Sequence, residues 1–161
     1  MGQPGSSFRR AGYAIVQRQG LSMADIFISY SSNDKVKVRR LVEALRDKSG
    51  NLWFDEEQIL PGDDLIQKMS DGISECRYYV ICLSPSFEKK PPTSWVKKEL
   101  KMAILKENNE RNQCIIPVRI KKGGSVPNEI GHKAYADLTT VKRWNKNFPK
   151  LCKALGIQHV L

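Results

Sequence analysis

From Met23 onward, short apolar runs of strand length alternate with segments whose apolar residues recur at helical spacing, and that alternation admits few architectures. The runs are Ala24–Tyr30, Leu52–Phe54, Tyr78–Leu83, Cys114–Ile120 and Ala136–Thr139. Tyr78–Leu83 (YYVICL) is continuously apolar, as expected of a strand covered on both faces of a sheet. Between the runs, Val38, Leu41, Val42 and Leu45 fall at i, i+3, i+4, i+7 after the capping cluster Ser31-Ser32-Asn33-Asp34. Leu65, Ile66, Met69 and Ile73 repeat the pattern after Asp63, read as an N-cap. Val96, Leu100, Ala103 and Ile104 repeat it after Thr93 or Ser94. Ser84–Pro92 reads as a long polar loop. A terminal helix is expected from Asn147-Phe148-Pro149, with Pro149 in its first turn and Leu151 and Leu155 inward. Strictly alternating strands and helices predict an α/β fold: a flavodoxin-like five-stranded parallel sheet in the order 2-1-3-4-5 with helices on both faces.

Charge and cysteine usage narrow the function classes. The 27 Lys and Arg against 17 Asp and Glu give +10 and a pI of about 9.6, which raises nucleic acid as a partner. Part of that excess, Arg9, Arg10 and Arg18, lies in residues 1–22, which hold no acid and are set aside as a flexible N-terminal extension before a domain over 23–161. The apolar patch Tyr13–Val16 is too short for a secretory signal. The remaining lysines are not interleaved with aromatic residues as a single-strand stacking platform requires, so nucleic acid is not expected as a partner. No run approaches the roughly 18 apolar residues of a spanning helix, so no membrane partner is expected. Cys76, Cys82, Cys114 and Cys152 stand singly, and His132 and His159 complete no zinc spacing. The expectation is a reduced, metal-free, cytoplasmic protein that carries no cofactor.

In such sheets ligands bind beyond the carboxyl ends of the strands, where Tyr30–Asp34, Asp55–Gly62 and Ser84–Trp95 gather. Phosphate cradles of the GxGxxG and GxxxxGK[ST] kinds are missing, as is a GxSxG elbow. Strand three ends in Leu83-Ser84-Pro85, without the aspartate of a receiver domain. What stands out is Trp95-Val96-Lys97-Lys98-Glu99, which places Trp95 and Glu99 one turn apart on one helix face beside the core stripe. A carboxylate beside an indole wall suits cleavage of an N-glycosidic bond to a cationic leaving group, because it stabilises an oxocarbenium ion. For an isolated WxxxE, pairing of Glu99 with neighbouring lysines on a solvated helix, with Trp95 as a core edge, is the commoner explanation.

The residues around that motif resemble the Toll/interleukin-receptor (TIR) domain family over about Met23 to Gly156. Phe27-Ile28-Ser29-Tyr30-Ser31-Ser32-Asn33-Asp34 is similar to the family's opening box. Leu52-Trp53-Phe54-Asp55 and Glu56-Glu57-Gln58-Ile59-Leu60-Pro61-Gly62 are similar to its second box and BB loop. Ser84-Pro85-Ser86-Phe87 and Phe148-Pro149 resemble later family segments. The resemblance implies either an enzyme that consumes NAD or a non-enzymatic interaction module. For the enzyme it implies an NAD glycohydrolase releasing nicotinamide with ADP-ribose or a cyclic ADP-ribose isomer. Glu99 would be catalytic and Trp95 would wall the nicotinamide. Tyr30, Ser31, Asp34, Phe54, Asp55 and Leu60 would line the nucleotide site, with Ser84 near the ribose. NAD would be substrate rather than cofactor. Stand-alone bacterial relatives imply a role in immune or antiphage signalling and a trigger or effector protein. Acidic residues at Asp55, Glu56, Glu57, Asp63 and Asp64, against basic third-helix and C-terminal segments, suit head-to-tail self-assembly with other TIR domains.

Overall fold

The protein is described by a computed structural model over residues 25–48, 51–53, 61–109 and 114–157. Five parallel strands, β1 (Asp25–Ser29), β2 (Asn51–Trp53), β3 (Tyr78–Leu83), β4 (Cys114–Arg119) and β5 (Ala136–Asp137), form one sheet in the order β2-β1-β3-β4-β5. Among the described residues the α-helices are α1 (Lys35–Asp47), α2 (Leu65–Glu75), α3 (Pro85–Lys89), α4 (Trp95–Asn109) and α5 (Val141–Ala154). Strand order and class are those expected from the alternation.

The period of two along each strand divides the core into two layers. Ile26, Ile28, Val80, Cys82, Ile116 and Val118 pack with Val38, Leu41 and Leu45 of α1 and Leu151 and Cys152 of α5. Phe27, Tyr79, Ile81, Leu83 and Ile115 pack the other way, with Ile73 of α2 and Val96, Leu100 and Ala103 of α4. This explains the unbroken apolar run of β3, which is buried on both sides. β4 tolerates Pro117 because β5 pairs only with Val118 and Arg119, leaving the strand edge beside the proline without a ladder bond to lose.

Several local expectations are corrected. Ser84–Pro92 is not all loop: Ser84 caps α3, accepting from the Phe87 N–H at 3.0 Å, with Pro85 in the first turn. Asp64, rather than Asp63, caps α2 through the Gln67 N–H at 3.0 Å. Ile66 is 63% exposed instead of buried. The side chains of Leu65 and Met69 lie outside the described residues. Before α1, Ser32–Asp34 form a 3₁₀ turn and Asp34 makes no capping bond. The terminal helix begins at Val141, so Pro149 is interior rather than in the first turn. Thr140 sets that start by accepting from the Arg143 N–H at 3.2 Å. Burial of Phe148, Leu151 and Cys152 outweighs the roughly 3 kcal/mol that an interior proline costs.

The β5 end is fixed electrostatically. Burial alone would raise the Asp137 carboxyl, but the Thr139 hydroxyl and N–H, at 2.6 and 3.0 Å, outweigh it together with Arg143 and Arg119. The result is a carboxyl held below its ordinary range. A depressed folded value stabilises the fold at pH above the unfolded value of about 3.9, and that contribution is lost as pH falls through the folded value. The stability gap between wild type and Asp137→Asn should therefore be constant above about pH 5 and close towards pH 3. Urea melts of both proteins across that range measure it; a gap that widens on acidification contradicts the assignment.

Candidate active site

The strand carboxyl ends carry two polar groups. The first is a buried knot. The Asp34 carboxylate accepts a short hydrogen bond from the Ser84 hydroxyl and pairs with the Lys121 ammonium at 2.8 Å. Ser31 and Ser86 share a hydroxyl contact at 3.0 Å beside it. Asp34, Ser31 and Ser84 are almost wholly buried. Below them, burial and then the Asp34 charge push the Cys82 thiol far above its usual range. The loop after β4 closes over the knot at Gly124, where an added Cβ would lie 2.6 Å from the Ser84 backbone nitrogen.

The second group lies on the α2/α4 side of the sheet. Glu99, one turn into α4, is 7% exposed and turned towards the sheet, where Oε2 accepts from the Ser29 hydroxyl of β1 at 2.8 Å. Beside this pair sits the Tyr79 hydroxyl, buried and without good hydrogen-bond geometry to the nearby Ser29. Burial, and next the Glu99 charge, raise the Tyr79 hydroxyl well above its usual range, so it stays protonated. The Tyr79 ring stacks on Phe27 at 5.4 Å and 10°. Trp95 begins the same helix but is 44% exposed, with the Lys98 ammonium 5.0 Å over its ring.

The residues singled out from sequence thus separate. Ser31, Asp34 and Ser84 come together, bonded within the knot or to its neighbours. Glu99 joins Ser29 on the opposite layer, and Tyr30 packs against the α1/α5 core. Glu99 does not lie beside the core stripe with Trp95: it is buried, while Trp95 stays at the surface. Phe54, Asp55 and Leu60 lie outside the described residues. Sequence reading missed Ser29, Tyr79 and Lys121 as parts of these groups. The signal for Ser29 was available, since a period of two places it on the Phe27 face; nothing local to Lys121 announces its reach to Asp34.

A family model for the TIR domain matches residues 26–152, most of the chain. The chain belongs to the TIR domain family. A 2' cyclic ADP-D-ribose synthase, BtTIR, of Bacteroides thetaiotaomicron is 39% identical over 95 residues, 58% of this chain and 32% of that protein. An NAD(+) hydrolase, TcpA, of a Theionarchaea archaeon is 36% identical over 95 residues, 58% of this chain and 28% of its own. The chain therefore spans about a third of the length of these curated relatives. Among solved structures, the TIR domain of the Toll-related receptor TRR-2 from Hydra magnipapillata superposes with a TM-score of 0.67 at 20% identity, over 81% of this chain and 97% of that one. At that identity the match speaks for the fold. No helix among the described residues of this TIR domain is long and apolar enough to cross a membrane.

Ser84 serves the knot twice, as donor to Asp34 and as acceptor for the α3 cap. Ser84→Ala should cost about 3 kcal/mol, from a lost cap and a lost bond to a buried carboxylate. Gly124→Ala should cost about 1–3 kcal/mol, because its Cβ meets backbone that has to move. Urea denaturation measures both losses, and a change under 0.5 kcal/mol at either site would remove the knot as a structural centre.

Proposed function

We propose that this TIR domain cleaves NAD at the nicotinamide–ribose bond, with Glu99 as the catalytic carboxylate. The observation that carries the reading is the place of Glu99: a largely buried carboxylate held at the carboxyl edge of the sheet by a hydroxyl from β1. The relatives named as an NAD(+) hydrolase and a cyclic ADP-ribose synthase support the choice of substrate.

The chemistry asks little beyond such a group. As the C1'–N bond breaks, its electron pair moves onto the pyridinium nitrogen and nicotinamide departs neutral, so no proton donor is required. Positive charge develops on the ribose ring, and a carboxylate in a site of low dielectric stabilises it more than one in water. Water captures the cation to give ADP-ribose, or another nucleophile of the same molecule captures it to give a cyclic isomer. Trp95, exposed at the start of α4, is assigned to the wall of the nicotinamide site. Ser31, Asp34 and Ser84 act through the shape of the crevice, since their own polar atoms are engaged within the fold or buried there. Further parts of the proposal are cytoplasmic signalling in immune or antiphage defence and control by TIR–TIR assembly. An interaction module without turnover is the competing reading.

Nicotinamide release from NAD, resolved by chromatography, tests the reading. Glu99→Gln preserves shape and should lower turnover at least about a hundredfold while the melting temperature moves little. Wild-type turnover that rises more steeply than protein concentration would mark assembly control. Absence of nicotinamide release at every concentration, crowding agent included, favours the interaction module.

A further inference from the structure

We propose that Ser29 is a positioning residue for Glu99: its hydroxyl fixes the carboxylate in one orientation at the crevice, a role that rests on the NAD-cleaving reading above. Ser29 closes β1, a strand flanked by β2 and β3, and is 1% exposed. Phe27 on its own strand and Ile81 opposite it in register are apolar, and the Tyr79 hydroxyl nearby makes no good hydrogen bond to it. Burying a hydroxyl there is unfavourable unless it meets a partner. The partner is Glu99 Oε2 at 2.8 Å, reached across 70 positions of sequence from α4.

The consequence for Glu99 is geometric. A glutamate on a helix turn has rotamer freedom, and a carboxylate that must face a developing cation gains from having it removed beforehand. The hydroxyl comes from a strand paired on both sides, whereas Trp95 on Glu99's own helix is exposed. Tyr79 completes the wall: stacked on Phe27 and kept protonated, it contributes no competing charge.

Steady-state NAD cleavage by the full chain tests this with Ser29→Ala, Ser29→Cys and Ser29→Thr beside wild type and Glu99→Gln. Ser29→Ala should lower kcat about 10- to 100-fold and leave KM within about threefold, since the group acts on the carboxylate and not on bound substrate. Ser29→Cys fills the same space with a weak donor and should fall nearly as far, separating hydrogen bonding from packing. Ser29→Thr keeps the hydroxyl and should restore at least about a third of wild-type kcat. Melting temperatures of the variants should not rank with their kcat values. An Ala variant as fast as wild type overturns the proposal, as does a rise in KM at constant kcat, which would make Ser29 a substrate contact. Faster turnover in the Ala variant overturns it too, by making the Ser29–Glu99 bond a restraint on catalysis. Wild type without turnover, or an undiminished Glu99→Gln, would instead sink the NAD reading and this role with it.

Discussion

The carboxylate of Asp34 is the point at which otherwise separate segments of this TIR domain are joined. It follows β1, accepts from Ser84 at the end of β3, and pairs with Lys121 just beyond β4. Parallel strands meet their loops at one edge without any ladder bond to hold those loops together. A buried charge is unfavourable alone, and here it is tolerated because a hydroxyl and an ammonium meet it. Removing either partner leaves the buried carboxylate with only one of the two groups that compensate it, so the three elements are held in a single arrangement. Gly124 belongs to the same arrangement, as the only residue type that lets the β4 loop lie against Ser84.

That knot leaves the candidate chemistry to the other layer. The sheet divides polar groups as it divides apolar ones: Asp34 and its partners sit above Cys82 and the α1 side, while Ser29, Glu99 and Tyr79 lie towards α2 and α4. Asp34 is met by the Lys121 ammonium, while Glu99 accepts from the Ser29 hydroxyl of β1.

The strand order and both helical layers were legible in the sequence because period-2 and period-3.6 patterns report burial directly, and burial is what fixes these elements. The misplacements came where a side chain or backbone group was spent on something distant. Asp34 reads as a helix cap, the common local use of aspartate, but its carboxylate goes to Ser84, 50 positions away. Pro149 reads as a helix start, yet α5 begins at Val141 because Thr140 caps it and Phe148 is buried. Ser84–Pro92 reads as loop by composition, although Ser and Pro at its head form a helix start once Phe87 is drawn into the core. For the site, Glu99 could be selected by spacing and family resemblance. The period of two puts Ser29 on the Phe27 face of β1, but nothing near Glu99 in sequence joins the two.

The split between Trp95 and Glu99 shows how one helix turn can serve two environments. Both lie on the first turns of α4, at a spacing that puts them on one face. Yet Glu99 is buried against Ser29, while Trp95 is 44% exposed beneath Lys98. An exposed indole is a weak contributor to stability, and its apolar area becomes useful only when something covers it. Under the proposed NAD cleavage a flat pyridinium would be a cover of that kind, its positive charge meeting a ring that the Lys98 ammonium already faces. After cleavage the neutral ring would lose that attraction, while the cation left on the ribose would stay with Glu99. On that reading the indole would favour the substrate over the departing product, and the carboxylate the state between them.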